Sequence, residues 1–161
     1  GHPHCEQPID VLDPSDGSGH MFCIYSEGNA LSNQRTYLMD EMPTGHTEDG
    51  AMVTLTLHQD SDGSVSIKDV DLLPTWVYRY QDNDGSKYYI LPLDDVANIE
   101  KTTGISDIQQ EAQDSYDRSI EELGPGLEKA KQVFGGSSIS TTTTGNTSGN
   151  TGSSLMNLGV E

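Results

Sequence analysis

The sequence predicts an α+β protein in which strands come first and helices follow. Short apolar or alternating runs, separated by turns rich in Gly, Asp and Asn, extend to about residue 93. One stripe of apolar residues at helical spacing then lies between residues 107 and 123. From residue 135 onward Ser, Thr, Gly and Asn dominate, and such a segment buries too little apolar surface to offset its ordering entropy.

The charge of the chain limits the partners that it can bind. Its 161 residues include 8 basic and 26 acidic side chains, which gives a formal net charge of −18. Such a field repels phosphate backbones and anionic lipids, so we expect neither nucleic acid nor a membrane surface as a partner. No run approaches the ~20 apolar residues of a membrane span. Hydrophobic residues make up 32% of the chain, which predicts a small core.

The first strands form a predicted hairpin. Gln7–Leu12 and Met21–Tyr25 have strand composition, and the turn-rich segment 13–19 joins them. Cys5 and Cys23 do not face each other in this hairpin, so we expect two buried thiols and no disulfide. A long polar loop follows from Ser26 to Gly50, and loops of this length are often functional.

Two further turns indicate the remaining strands, up to six in all. Asp60–Gly63 and Asp82–Gly85 each separate apolar runs of strand length. We interpret both as hairpin turns and not as calcium loops, which need Gly at position six and Glu at position twelve. Trp76 and Tyr78 are expected to share one face of a strand, with Trp76 buried.

The helical region is predicted between residues 94 and 134. A short helix is expected within 92–102, and a longer one begins after an N-cap at Ser106 or Asp107. Gly124-Pro125 is expected to end it, with one or two further helical turns over 127–134. Its apolar stripe should pack on the sheet and consists of Ile108, Ala112, Tyr116, Ile120 and Leu123.

Two histidines near the start of the chain are candidate metal ligands. In Gly1-His2-Pro3-His4 the histidines are two residues apart, so on an extended segment they project to the same side. Imidazoles placed in this way suit a metal ion or a pair of metal ions. The pattern also occurs by chance, so both interpretations stay open on spacing alone.

Four ordered segments resemble the CapA family of poly-γ-glutamate capsule synthesis proteins. The first is Gly1-His2-Pro3-His4-Cys5-Glu6-Gln7-Pro8-Ile9-Asp10. The second, residues 24–34, is similar to the family's Tyr-Ser-x-Gly-Asn-x-x-x-Asn-Gln stretch. Residues 47–50 and 74–79 also resemble later family segments. The resemblance covers residues 1 to about 93 and none of the chain beyond.

This resemblance implies a fold and a metal site. The family is similar to calcineurin-like metallophosphoesterases, so residues 1–93 would be the β-rich carboxy-terminal half of a four-layer α/β/β/α sandwich. Residues 94–134 would be a helical appendage and 135–161 a disordered tail. His2 and His4 would each approach one of two Mn, Zn or Fe ions. The other ligand motifs lie upstream in the family, so we expect this fragment to hold no metal and to be no enzyme by itself.

The resemblance also implies a function in bacterial capsule biosynthesis or export, outside the cytoplasm or at the cell surface. Its partners would be the missing amino-terminal half of the domain and an anionic capsule polymer. Arg35 is a candidate ligand of that polymer, with a plain salt bridge as the alternative. Asn29 is a second candidate, with a loop or turn role as the alternative. Part of a metal-dependent phosphoesterase and an independent β-rich cell-envelope module remain open as other functions.

Overall fold

The described residues fold into two antiparallel sheets and two α-helices, with most of their ordered elements in strands, which confirms the α+β class. A computed structural model describes residues 2–38, 40, 44–135 and 156–157. In chain order the elements are β1 (Glu6–Leu12), β2 (Met21–Glu27), β3 (Asp49–Gln59), β4 (Val65–Asp82), β5 (Gly85–Pro92), α1 (Ile99–Thr103), α2 (Gln109–Phe134) and β6 (Met156–Asn157).

The predicted first hairpin is confirmed as a two-stranded sheet. β1 and β2 pair antiparallel from Glu6 opposite Glu27 to Leu12 opposite Met21. Ile9 and Val11 are buried on one face, as the period of a strand requires. Cys5 and Cys23 are free cysteines, but both are partly exposed, so the prediction of two buried thiols is wrong.

The second sheet has the order β3-β4-β5-β6, and β4 is a single 18-residue strand where the sequence suggested two. Up to Pro92 the described residues therefore contain five strands. Pro74 lies inside β4, where its missing N–H would normally break a ladder. Its carbonyl accepts a hydrogen bond from Leu93 N at 2.9 Å, beyond the last paired residue of β5. The N–H group that proline lacks would therefore point beyond the last residue of β5, so no hydrogen bond to β5 is lost.

The first apolar cluster lies where the amino-terminal part of α2 covers β4 and β5. Trp76 is 4% exposed, which confirms its predicted burial. Its ring lies 5.4 Å from that of Tyr78, so the two share a face as expected. The cluster consists of Trp76, Leu91, Leu93, Val96, Ile99, Ile108 and Ala112.

The main helix differs from its prediction at both ends. α2 begins at Gln109, and neither Ser106 nor Asp107 caps it. The carboxylate of Glu100 in α1 accepts hydrogen bonds from the backbone N–H groups of Ile108 and Gln109, at 3.0 and 3.3 Å. Helical structure continues through Gly124-Pro125 to Phe134, so the predicted stop is wrong. Packing against the strands outweighs the local preference of Pro to end a helix.

The second apolar cluster is formed by the carboxy-terminal half of α2 with both sheets. It consists of Ile9, Val11, Val70, Leu123, Leu127 and Ala130. The buried face of α2 also includes Ser115 and Ser119, whereas Tyr116 and Ile120 of the predicted stripe are only half-buried. Small residues on this face let the helix lie close to the strands.

Residues of the Ser- and Thr-rich region contribute one short strand. Met156–Asn157 pairs antiparallel with β5, opposite Ile90 and Tyr89. Most of the segment predicted to be disordered, residues 136–155 and 158–161, lies outside the described residues. Among the described helices, none is both long and apolar enough to cross a membrane.

Gly126 is the point of closest approach between α2 and β1. A Cβ atom at position 126 would overlap the carbonyl group of Ile9. At Gly124, two residues earlier in the same helix, the nearest atom to an added Cβ outside the adjacent residues is Ile120 Cγ2, at an ordinary 3.5 Å.

We predict that Gly126→Ala destabilises the chain by ~1–3 kcal/mol, because the added methyl group forces α2 away from β1. Glu121→Ala, at an exposed position of the same helix, is the control and should change stability by less than ~0.5 kcal/mol. Urea unfolding of both variants measures the difference. Equal stability of the two variants would show that α2 does not approach β1 as described.

Candidate functional site

A buried ion pair connects α2 to the start of β3. The carboxylate of Asp49, 1% exposed, accepts hydrogen bonds from Arg118 Nε at 2.6 Å and Arg118 Nη2 at 2.7 Å. Ser115 Oγ donates a third hydrogen bond to Asp49, also at 2.6 Å. Along α2 these residues lie between Ala112 of the first apolar cluster and Leu123 of the second. The pair therefore fixes the helix at the junction of the two clusters.

The pairing also determines the charge state and surroundings of Arg118. Burial by itself lowers the pKa of Arg118, but hydrogen bonding and attraction from Asp49 outweigh it and keep the pKa above its ordinary value. Gly45 packs on the guanidinium, since a Cβ atom there would lie 2.7 Å from Arg118 Cζ. Its φ of 92° is also one that favours glycine.

A second carboxyl group, Glu6 of β1, is buried beside this pair. Burial raises the pKa of Glu6 to about 8, although the nearby Ser119 hydroxyl favours the ionised form. The negative charges of Asp49 and Glu122 raise the pKa further, and Arg118 acts against them. Glu6 is therefore largely protonated at neutral pH.

Asn29 holds the loop between β2 and β3. Its side chain is 3% exposed, and Nδ2 donates hydrogen bonds to the carbonyl groups of Thr47 at 2.6 Å and Ser32 at 3.2 Å. Oδ1 accepts a hydrogen bond from Ser32 N at 2.7 Å. The amide is thus engaged by backbone on both sides, as the loop interpretation requires. A role of Asn29 in substrate binding stays a prediction.

Arg35 is buried at an edge of β4 that β3 leaves open. β3 pairs with β4 only up to Asp49 opposite Trp76, so beyond that point β4 has no neighbour on this side among the described residues. Arg35 Nη1 donates a hydrogen bond to the Val77 carbonyl there and lies 3.4 Å from Glu48 Oε2. Arg35 is 3% exposed, yet its Nε and Nη2 atoms make no hydrogen bond to the described residues.

Arg35 lines a cleft of about 330 Å³. Its walls come from the loop before β3, the open edge of β4 and the amino-terminal half of α2. Glu48 lies in the cleft and accepts hydrogen bonds from Thr36 N and Trp76 Nε1, at 3.3 and 3.4 Å. The other lining residues are Arg35, Tyr37, Thr44, Gly45, Tyr78, Arg79, Glu111, Asp114 and Arg118.

The predicted metal ligands lie near the start of β1. His2 is exposed and His4 half-buried, and their ring centroids are 6.5 Å apart. Because Glu6 pairs with Glu27, this segment is at the same end of the hairpin as Gly28 and Asn29. In the part of the chain that the structure describes, no group of three or more His, Cys, Asp or Glu could hold a metal ion. Two imidazoles alone do not complete a dimetal centre.

Reasoning from the sequence singled out Arg35 as a candidate ligand of a polymer, a role that stays a prediction. It missed the buried pair of Asp49 and Arg118. Asp49 and Ser115 are common residue types in ordinary surroundings, and no local pattern distinguishes them. Arg118 carries one usable signal, since it is one of only three arginines in the chain. The burial of Glu6 also has no local sequence signal, because it depends on α2, which is distant in sequence.

We predict that Asp49→Ala destabilises the chain by ~1.5–3 kcal/mol, because it leaves the partly buried Arg118 cation, 21% exposed, and the buried Ser115 hydroxyl without their charged acceptor. Removing that charge as well, in Asp49→Ala with Arg118→Leu, should recover part of the loss. Denaturant unfolding of the single and double variants measures both effects.

The control for this test is a surface ion pair that also involves α2, between Asp10 of β1 and Lys129 of the helix. Its atoms lie 2.7 Å apart, but the side chains are 38% and 55% exposed. Asp10→Ala should therefore change stability little, because exposed pairs are screened by water. A loss in Asp10→Ala as large as in Asp49→Ala would contradict the argument.

The raised pKa of Glu6 predicts a pH-dependent stability. Between the ordinary value of 4.5 and about 8, the folded chain keeps a proton that the unfolded chain has lost. Stability therefore falls as pH rises through this window, by up to ~1.4 kcal/mol per pH unit. Glu6→Gln should flatten the dependence and be the more stable protein at pH 8. Glu27 lies opposite Glu6 in β2 but is exposed, so Glu27→Gln should leave the pH dependence of stability unchanged.

Comparison with known proteins yields no match for this chain among protein-family models, curated proteins or solved structures. The candidate site is a cleft at the open edge of β4, and Arg118 of the Asp49–Arg118 pair forms part of one wall.

Proposed function

We propose that the chain is the carboxy-terminal part of a CapA-like domain that acts in the assembly or export of an anionic capsule polymer at the bacterial cell surface. It completes a larger metallophosphoesterase-like sandwich and has no catalytic activity by itself. The proposal combines the four-segment resemblance in residues 1–93 with one observation, the incomplete sheet formed by β1 and β2.

The sheet of β1 and β2 is too small to be stable alone. Two-stranded sheets in water need further strands or a helix to cover an apolar face. α2 covers β1 through Ile9 and Val11, but β2 keeps large apolar side chains in solvent, with Met21 48% and Tyr25 56% exposed. Among the described residues, one isolated bridge joins Gly28, which follows β2, to Gly50 of β3, and no third strand pairs along this sheet. An upstream half of the domain would supply strands at these free edges and cover β2.

The positions of His2 and His4 support the same proposal. They directly precede β1, so strands added to this sheet would bring further residues near both imidazoles. Carboxylates and histidines from the upstream half would then complete a two-metal site. The alternative function, as part of a metal-dependent phosphoesterase, requires such a site as well. The two functions differ only in whether the completed site turns over a substrate.

The experiment is to produce the chain alone and the same chain extended by the upstream residues that its gene encodes. The extended protein should bind Mn²⁺ or Zn²⁺ far more tightly than the chain alone in calorimetric titrations. Amide exchange in β2 should become slower, because its free edge is paired. His2→Ala with His4→Ala should abolish the gain in metal affinity and leave the slower exchange of β2 intact.

Equal metal affinity and equal exchange in the two proteins would overturn the proposal and favour an independent envelope module. Phosphodiester hydrolysis by the chain alone, abolished in the His2→Ala and His4→Ala double variant, would also overturn it. Hydrolysis only by the extended protein would select the phosphoesterase alternative over polymer assembly.

A further inference from the structure

β3 is an edge strand whose outer side has no neighbour along most of its length. In the sheet order β3-β4-β5-β6 its one neighbouring strand among the described residues is β4. A single bridge between Gly28 and Gly50 occupies the outer edge near the start of the strand. From residue 51 to residue 59 no described residue pairs with β3 on that side. The free edge therefore consists of residues 51–59.

One contact shows which backbone groups point outward from this edge. The Asp49 carbonyl accepts a hydrogen bond from Asn29 N at 2.9 Å, so Asp49 directs its backbone groups away from β4. Because this direction alternates along an antiparallel strand, Val53, Leu55 and Leu57 also direct their N–H and C=O groups outward. Unpaired backbone groups in such a row are a template for a further strand.

β3 lacks the features that normally protect an edge strand. Residues 50–59 contain no Asp, Glu, Lys, Arg or Pro, although the chain has 26 acidic and 8 basic residues. The bulge in this ladder places its extra residue, Lys68, in β4 and not in the edge strand. One face of β3 is also apolar and open to solvent, with Leu55 39% and Leu57 61% exposed and Val53 half-buried beside them.

The free edge is complementary to a second copy of itself. Its midpoint is Leu55, so antiparallel pairing about a twofold axis at Leu55 places Val53 of each copy opposite Leu57 of the other. On the other face Thr54 of each copy lies opposite Thr56 of the other. Apolar pairs and Thr–Thr pairs stabilise a sheet, and no like charges face each other in this register. The outward backbone groups supply roughly six hydrogen bonds between the copies.

The acidic side chains behind the edge permit this pairing at physiological salt. Asp69 and Asp71 of β4 lie opposite Thr56 and Thr54, one strand behind the edge. In the paired sheet, Asp71 of one copy is three strand spacings, or about 14 Å, from Asp69 of the other. That distance exceeds the Debye length of about 8 Å at physiological ionic strength. Repulsion between these carboxylates is therefore screened in physiological salt and becomes important at low salt.

We propose that β3 is a self-association edge, at which two copies of this chain pair antiparallel about Leu55 and join their β3-β4-β5-β6 sheets into one. Burial of Leu55 and Leu57 from both copies drives the association, and the backbone hydrogen bonds fix the register. A second copy fits better than an unrelated peptide because the free edge is symmetric about Leu55 in length and in the alternation of apolar and Thr residues. The proposal does not depend on the capsule function, which concerns the sheet of β1 and β2.

Sedimentation equilibrium of the chain over a range of concentrations measures the association. A reductant is included because Cys5 and Cys23 are free. We expect a reversible dimer that becomes severalfold tighter between about 0.01 and 0.15 M salt, since salt screens the repulsion between two acidic copies. A partner held by opposite charges would show the reverse dependence on salt.

Amide exchange locates the contact on the edge of β3. Exchange at Val53, Leu55 and Leu57 should become slower as protein concentration rises, because these N–H groups are paired only in the dimer. Exchange at Thr54 and Thr56 should not depend on concentration, because their N–H groups point toward β4 in the monomer. Slow exchange at the three outward amides at every concentration would overturn the proposal, since the edge would then be covered within one chain.

A charge-swap pair tests the register. Leu55→Lys places two lysines at the twofold axis, so the dimer should weaken roughly tenfold or more, although each copy becomes less negative. Leu55→Glu should also fail to dimerise, and an equimolar mixture of the two variants should recover a mixed dimer in which Lys faces Glu. Tyr25→Lys makes the same charge change at a 56% exposed position of β2 and should leave the dimer unchanged.

A second variant guards against misfolding, which circular dichroism detects. Should the Leu55 variants fail to fold, Thr54→Lys with Thr56→Lys alters only exposed side chains and should be monomeric, because edge lysines block strand addition. A monomer at every concentration of the unaltered chain would overturn the proposal. A dimer that Tyr25→Lys weakens as much as Leu55→Lys would place the contact elsewhere, and failure of the mixture to associate would overturn the register about Leu55.

Discussion

The buried pair of Asp49 and Arg118 is the constraint on which the arrangement of the molecule depends. The two apolar clusters are modest in size, and each involves a different half of α2. Between them the helix contributes Ser115 and Ser119, which add little hydrophobic stabilisation. The charge-assisted hydrogen bonds of Arg118 to Asp49 bridge this gap and set the helix relative to the first residue of β3.

The same contact creates the cleft. Because Asp49 is fixed under α2, β3 begins there, and beyond Trp76 no described residue pairs with β4 on that side. The Val77 carbonyl at this open edge needs a hydrogen-bond donor, and the buried Arg35 supplies it. The loop that carries Arg35 is held in turn by Asn29, whose amide bonds to the backbone at Thr47 and Ser32. A structural ion pair thus positions a second arginine, whose Nε and Nη2 atoms make no hydrogen bond to the described residues.

Close backbone packing explains two places where local sequence signals are overridden. The Gly124-Pro125 signal for a helix stop is correct for an isolated peptide, but Gly126 lets α2 lie directly on the carbonyl group of Ile9. Burial of Leu127 and Ala130 beyond the proline then outweighs its local cost. Pro74 likewise stays inside β4, since its missing donor faces a position that β5 does not reach.

The sequence by itself determined the α+β class, the hairpins at 13–19, 60–63 and 82–85, and the burial of Trp76. These follow from periodicity, turn composition and residue type, which act over a few neighbouring residues. Only the tertiary structure decided the length of β4 and α2, the burial of Glu6 and the pairing of Asp49 with Arg118. The last two features join residues at least 69 positions apart. The desolvation that makes a buried charge require its partner exists only once the sheets and helix have packed.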